Sequence, residues 1–250
     1  FPWSAGYWLE ATKLERVERN LSKNFDLCTC TTRGELESLR ELGVTTPSDW
    51  FPNGVDAEFF APSSAPYDKD LIVFVGRMDY YPNQQAVMDF CRDILPRLAA
   101  RRPGVKFQIV GADPSREILE LGKLPGVSVT GSVPDVRPYV TRAALTVANL
   151  QIARGTQNKI LESMAMGVPV VCSVRASGGV DAVPEEHLLT ATTPDEYVVK
   201  IGRILDAPEE RARLAEAGRK RVLEHHSWAS SMRRLDGLIA TTMERRKRAA

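Results

Sequence analysis

This chain of 250 residues has few histidines and cysteines, almost no net charge and no long apolar run. No apolar run approaches the ~18 residues that a membrane-spanning helix requires. The longest, Leu71–Gly76 and Gly167–Val174, have the length of strands. The 33 Lys and Arg residues against 32 Asp and Glu leave a formal net charge of +1. Because nucleic-acid-binding proteins usually carry a large basic excess, we expect no nucleic-acid partner.

The few cysteines and histidines are too scattered to predict a metal site. Cys28 and Cys30 are separated by one residue, which is closer than the usual zinc-binding pair, and no second pair lies nearby. Reduced, buried thiols are therefore expected at all four cysteines. The three histidines show neither metal-ligand spacing nor a Ser-His-Asp pattern, and His225-His226 is interpreted as a helix junction. We expect no metal and no cofactor.

Short β-branched runs alternate with helical stretches through the middle of the chain. Leu71–Gly76 is predicted to be a buried strand, and apolar residues at helical spacing follow from Asn83 to about Ala100. Further strands are predicted at 105–111, 126–131, 144–148 and 168–172, with helices between them and throughout 194–246. This alternation is typical of an α/β protein with a Rossmann-like, doubly wound parallel sheet.

Residues 1–60 have a different organisation. They contain two predicted helices and two short strands, followed by the turn Asn53–Asp56 and a loose Pro- and Ser-rich stretch. A segment this short cannot bury a large core of its own, so we expect a partial second α/β domain. We also expect a fragment of a longer, cytoplasmic protein, because the chain begins at Phe1 and no signal peptide opens it.

Two loops at predicted strand ends carry candidate phosphate ligands, and ligands of open parallel sheets bind at such ends. Gly76 and Arg77 follow the first strand, where glycine permits close backbone approach and arginine suits a phosphate. The alternative for Arg77 is a surface ion pair with Asp79. Because no G-x-G-x-x-G motif is present there, a dinucleotide cofactor is disfavoured.

The second loop is rich in anion-binding features. Gly155 lies between Arg154 and Lys159 and leads into a predicted helix over 158–166. A glycine loop at a helix N-terminus binds anions through its backbone N–H groups and the helix dipole, so together the two loops predict a diphosphate site. Glu162, one turn after Lys159, either accepts hydrogen bonds from ribose hydroxyls or pairs with that lysine.

These residues resemble a known family. Lys159–Val171, with the sequence KILESMAMGVPVV, resembles the K-x-L-E-A-M-A-x-G-x-P-V-V signature of the retaining glycosyltransferases of family 4. Phe74–Met78 is similar to the first strand of their C-terminal nucleotide-sugar domain, and Asn53–Asp56 to the N-G-V-D that precedes it. Val129–Val133, with Asp135, is similar to the loop that usually receives the base. The resemblance covers essentially the whole chain.

The resemblance implies the GT-B fold, in which two Rossmann-like domains face a cleft. It divides the chain into the tail of the acceptor-side domain (1–56), the donor-binding domain (57–226) and a helix that crosses back to the acceptor side (227–250). Arg77 and Lys159 would stabilise the leaving diphosphate as the catalytic residues, without a metal ion. The donor would also contact Gly76, Val133, Arg154, Gly155, Thr156 and Glu162.

Two departures from the family pattern affect the expected site. Arg154 stands where the family usually has the first glutamate of its E-x7-E motif, which contacts the sugar. Pro82, followed by Asn83, stands where the family often has a lysine. In these respects the sequence resembles exopolysaccharide-associated sugar transferases.

The resemblance thus implies a retaining transfer of sugar from a UDP- or GDP-sugar to a glycan or lipid-linked acceptor. The chain alone is expected to bind the donor without transferring sugar. The alternatives are a non-catalytic nucleotide-binding or scaffold subunit, which Arg154 favours, and a sugar-nucleotide 2-epimerase of the same fold.

Two surface features bear on further partners. The basic cluster at 244–248 is either a solvated tail or a contact with the inner face of the cell membrane. Apolar surface around Trp3, Tyr7 and Trp8 invites self-association, because we expect the missing part of the acceptor-side domain to cover it.

Overall fold

The computed structural model describes residues 2–249, with side chains from Ser4 to Arg248. It divides into two compact units, which we call the central unit, Asn53–Trp228, and the terminal unit, Phe1–Pro52 with Ala229–Ala250. The divisions lie a few residues from the expected boundaries at 56 and 226. In the structure, Asn53–Asp56 and residues 227–228 belong to the central unit.

A six-stranded parallel sheet forms the centre of the central unit, with the spatial order β5-β4-β3-β6-β7-β8. Counted from β3 as the first strand, this is the 3-2-1-4-5-6 order of a doubly wound α/β fold. The predicted fold class is therefore confirmed. The strands are β3 (Asp68–Val75), β4 (Lys106–Val110), β5 (Val127–Val129), β6 (Ala143–Ala148), β7 (Val170–Ser173) and β8 (Leu189–Ala191).

Burial on both faces explains why the central strands are continuous apolar runs. Every residue of β6 is buried, as are Leu71–Phe74 of β3. Strands of this kind are expected where helices cover both sides of a parallel sheet. The prediction missed β8, because its three residues include a threonine between Leu189 and Ala191 and form no long β-branched run.

Helices cover the sheet and connect its strands. The helix predicted from Asn83 to about Ala100 is divided into α3, a π-helical segment at Phe90–Ile94 and α4, which has a proline in its first turn. Because proline lacks a backbone N–H, the regular hydrogen-bond ladder cannot continue through it. Phe90 stacks on Phe107 of β4 with ring centroids 4.2 Å apart, which fixes this region on the sheet. The helices of this unit are α3 (Tyr81–Asp89), α4 (Leu95–Arg101), α5 (Arg116–Leu121), α6 (Arg137–Thr141), α7 (Asn158–Ala165), α8 (Val174–Ser177), α9 (Pro194–Asp206) and α10 (Pro208–His225).

The terminal unit contains a two-stranded parallel sheet and three helices. Its elements are α1 (Pro2–Ser22), β1 (Cys28–Cys30), α2 (Arg33–Glu41), β2 (Ser48–Trp50) and α11 (Trp228–Ala249), whose first residue belongs to the central unit. A capping box of Thr32 and Glu35 begins α2. Arg234 of α11 donates from Nε to the Trp50 carbonyl at 2.7 Å and lies over the Trp50 ring. The last helix therefore contacts the N-terminal strands.

Three sequence expectations concern side-chain exposure and membrane spans. Tyr7 and Trp8 of α1 are exposed, whereas the side chain of Trp3 lies outside the described residues. Cys91 and Cys172 are buried, but Cys28 and Cys30 are only partly buried because they lie in a two-stranded sheet, which corrects the expectation for that pair. None of the helices in the described residues is both long and apolar enough to cross a membrane.

Candidate nucleotide-binding site

The two predicted phosphate-binding loops follow adjacent strands in the sheet. Gly76 and Arg77 come directly after β3, and the Gly155 loop follows β6, the strand that pairs with β3. The chain order of the strands reverses between these two, which makes their carboxyl ends a topological switch point. Ligands of doubly wound sheets bind in the crevice at this point.

A direct side-chain contact joins the two loops. The Lys159 ammonium, in the first turn of α7, donates to Asn83 Oδ1 at 2.7 Å. Asn83 is buried in the first turn of α3, and its Nδ2 donates to the carbonyl of Arg77 at 2.8 Å. A Cβ added to Gly76 would lie 2.8 Å from Lys159 Nζ and 2.7 Å from Asn83 Nδ2. The glycine therefore leaves room for this pair.

Burial disfavours the positive charge of Lys159, and an aromatic ring offsets part of that cost. Its Nζ lies over the ring of Phe74, 4.3 Å from the centroid, where the face of the ring attracts a cation. Burial lowers the pKa of Lys159 from 10.5 to about 7, opposed weakly by the charge of Glu162. An incoming polyanion would favour the protonated ammonium, because an opposite charge nearby stabilises the charged form.

Arg77 is exposed and already paired with two carboxylates. Its guanidinium contacts Asp79 at 2.6 Å and Asp113 at 3.0 Å. The hydrogen bond with Asp79 raises the pKa of Arg77 and lowers that of Asp79. The surface-pair alternative is thus present in this structure. Such exposed pairs are weak, so a phosphate could replace them at small cost.

The Gly155 loop combines a closely packed glycine with an exposed cation, Arg154. Gly155 has a φ of +63°, a conformation that favours glycine, and the residue is also in close contact with another loop. A Cβ on Gly179 would lie 2.0 Å from the Gly155 carbonyl oxygen. Arg154 is exposed, and Thr156 Oγ1 is buried without a hydrogen-bond partner in the described part of the chain.

The N-terminus of α7 follows this loop. No side-chain hydrogen bond caps the helix at Gln157. Its first backbone N–H groups are therefore not used by a side-chain cap, and the positive end of the helix dipole points in the same direction. This arrangement fits an anion better than it fits a neutral ligand.

Glu162 faces a cavity rather than the lysine. The ammonium of Lys159 donates to Asn83, so the predicted alternative of a Lys159–Glu162 ion pair is not formed. Burial raises the pKa of Glu162, while the positive charge of Lys159 lowers it. The cavity has a volume of about 210 Å³. It is lined by Gly54, Val55, Asp56, Phe60, Asn158, Leu161, Glu162 and Trp228.

The loop expected to receive the base lies after β5. Val133 packs against the apolar cluster that Val75, the last residue of β3, also contacts. Asp135 accepts hydrogen bonds from the backbone N–H and the guanidinium of Arg137, which fixes the start of α6. Val133 and the last residue of β3, the strand that Gly76 follows, therefore pack against the same cluster.

The contact of Asn83 cannot be predicted from the sequence. The Pro82-Asn83 pair departs from the family pattern, but the local sequence shows only that a lysine is absent at position 82. In the structure the asparagine contacts the ammonium of Lys159, a residue 76 positions away in the chain. In the described residues, no group of three or more His, Cys, Asp or Glu side chains could hold a metal ion.

Comparison with known families and proteins gives consistent matches. The family model described as Glycosyl transferases group 1 matches residues 69–207, more than half of the chain. The chain is 33% identical over 118 residues to the MMP alpha-(1->4)-mannosyltransferase of Mycolicibacterium hassiacum, covering 45% of this chain and 28% of that protein. It is 26% identical over 250 residues to the D-inositol 3-phosphate glycosyltransferase of Nocardiopsis dassonvillei, covering 90% of this chain and 57% of that protein. The chain therefore spans about a quarter of the first relative and little more than half of the second.

Among solved structures, HepE from Anabaena in complex with UDP and glucose is similar in fold. The TM-score is 0.74 at 16% identity, and the match covers 90% of this chain and 66% of that one. At this identity the likeness shows the fold alone.

Proposed function

The chain belongs to the glycosyl transferases group 1 family, and on that premise we propose that its central unit binds the nucleoside diphosphate of a UDP- or GDP-sugar. The whole protein would transfer the sugar, with retention of configuration, to a glycan or lipid-linked acceptor. Both nucleotides remain in the proposal because one relative is named as GDP-mannose-dependent and a structure of similar fold holds UDP.

One observation carries the proposal. The Lys159 ammonium, the Gly76 turn and the uncapped N-terminus of α7 come together where β3 and β6 end. A cation, a glycine without a side chain and oriented N–H groups at one point match the needs of a diphosphate.

The same groups account for the chemistry. When the bond from the sugar to the diphosphate breaks, negative charge develops on the leaving phosphate. Preorganised donors at that position stabilise this charge, and removing one such donor typically costs about 2.7–4 kcal/mol of barrier. We assign this work to Lys159, to Arg77 after it exchanges Asp79 for phosphate, and to the α7 N–H groups. Glu162 would accept hydrogen bonds from ribose. No metal ion is included in this proposal.

A nucleotide-binding subunit without transferase activity is the second candidate. Arg154, rather than a glutamate, occupies the position that contacts the sugar in the resembled family, and its side chain is exposed. Such a subunit would bind the nucleotide and its sugar-nucleotide form with equal affinity.

The test is sugar transfer from labelled UDP- and GDP-sugars to a membrane fraction that supplies acceptors. The full-length protein should transfer label from one donor and release its nucleoside diphosphate, and Lys159→Met should abolish this while the protein stays folded. Nucleotide binding without transfer would favour the second candidate. Conversion of the donor to an isomer without acceptor would instead indicate an epimerase.

A further inference from the structure

We infer that Asn83 is a positioning residue, which holds the Lys159 ammonium against the Gly76 turn so that it meets the donor diphosphate. The inference rests on the proposed function and adds a residue to it. In the resembled family a lysine often stands at position 82 in addition to the lysine of the K-x-L-E signature; here position 82 is Pro82, and Lys159 of α7 remains.

Two contacts and one open space fix the ammonium. Asn83 Oδ1 accepts its hydrogen bond at 2.7 Å, the Phe74 ring lies beneath it, and Gly76 leaves the space that a side chain would fill. A free lysine side chain carries about 2 kcal/mol of rotamer entropy. A fixed lysine has lost part of that freedom before the ligand arrives, which is the general advantage of preorganisation.

Asn83 also connects this cation to the loop of Arg77. Its Nδ2 donates to the Arg77 carbonyl, so one buried amide joins the end of β3 to the first turn of α7. An amide can do both because it offers an acceptor and a donor at once. Leucine or alanine offers neither, and a lysine at this position would place two ammonium groups together.

A neighbouring residue provides a matched control. Gln84, the next residue of α3, donates from Nε2 to the Met78 carbonyl at 2.6 Å, in the same loop. Gln84 therefore braces the loop as Asn83 does, but Lys159 hydrogen-bonds to Asn83 and not to Gln84. If bracing the loop were the whole role of Asn83, alanine at either position would have the same effect on ligands.

The experiment is a double-mutant cycle on ligand binding. UDP and GDP are each titrated against the wild type, and the nucleotide that binds more tightly is used with its nucleoside. We expect Asn83→Ala to weaken binding of the nucleotide about 10-fold, the scale of one hydrogen bond, and to leave binding of the nucleoside unchanged. In a Lys159→Met background, Asn83→Ala should cause no further loss, because its effect passes through the lysine. Gln84→Ala should affect nucleotide and nucleoside alike or not at all.

A second variant keeps the test decisive if Asn83→Ala does not fold. Asn83→Asp keeps the shape and the acceptor oxygen, and its carboxylate would hold Lys159 protonated, although it loses the hydrogen bond that Nδ2 donates to the Arg77 carbonyl. The ammonium contacts Asn83 on α3 and Phe74 on β3, and Glu162 on α7 acts on it through its charge without a direct contact. We expect Asn83→Asp to abolish the pH dependence of nucleotide binding between pH 7 and 9.

Three results would overturn the inference: equal losses for nucleotide and nucleoside, an undiminished effect in the Lys159→Met background, or an unchanged pH profile in Asn83→Asp. If instead the wild type binds neither UDP nor GDP, or Lys159→Met binds them as the wild type does, the proposed function fails first.

Discussion

Raising the pH from 7 to 9 should weaken UDP binding by titrating Lys159. Burial lowers the pKa of this lysine to about 7, so in the free protein about half of the ammonium is protonated at pH 7 and only about 1% at pH 9. A ligand that requires the charged form loses apparent affinity in proportion to that fraction, which is a fall of about 50-fold over the two units. The phosphates of UDP ionise near pH 6 and change little above pH 7.

The loss of affinity for UDP has an upper limit, because the neutral lysine still contacts the ligand. It cannot exceed the loss caused by removing the ammonium altogether, which for a hydrogen bond to a charged group is about 10- to 150-fold. Calorimetric titrations in buffers of different ionisation enthalpy should show nearly one proton taken up per UDP bound at pH 8. Uridine, which has no phosphate, should take up none.

Lys159→Met is the control for this titration. It should bind UDP weakly and with little pH dependence between pH 7 and 9. The reasoning is refuted if wild-type affinity stays constant or rises over this range, or if Lys159→Met keeps the wild-type profile.

Three further results are expected. Glu162→Ala should weaken the binding of UDP and of uridine alike, by about 10-fold, because Glu162 is proposed to contact ribose. If calorimetry shows weaker binding of UDP alone, this prediction is contradicted. Gly54→Ala should lower stability by about 1–3 kcal/mol, because the new Cβ would lie 2.6 Å from the Trp228 ring; an unchanged denaturant midpoint would disagree. The unfolded chain binds the Lys159 proton between pH 7 and 10.5, so wild-type stability relative to Lys159→Met should rise with pH across that window and not fall.

The sheet of the central unit was predictable because its strands are short, buried and separated by helices. Runs such as Leu71–Phe74 are short, apolar and rich in β-branched residues, which favours buried strands where they alternate with helices. The strand β8 was missed, and the break at Phe90–Ile94 could not be predicted, because proline is tolerated in a first helical turn and the pattern alone does not reveal a new helix start. The family resemblance is confirmed by the match over 69–207.

The placement of the two loops could be predicted from the sequence, whereas their side-chain contacts could not. Gly76, Arg77 and the Gly155 loop lie at the carboxyl ends of adjacent strands, as predicted, and their role in ligand binding stays a prediction. The partner of Lys159 could not be predicted from local sequence, because the pairing of β3 with β6 brings Asn83 near to it. The i,i+3 spacing predicts Glu162 as one possible partner of Lys159, but in the structure the ammonium donates to the buried amide of Asn83.

We propose that cations and backbone N–H groups of this chain hold a nucleoside diphosphate. A calorimetric titration of UDP and GDP in EDTA, repeated with magnesium, tests this binding. At least one nucleotide should bind below millimolar concentration in EDTA, and Lys159→Met should lose most of that affinity. Binding only in the presence of magnesium, or no binding of either nucleotide below millimolar, would contradict it.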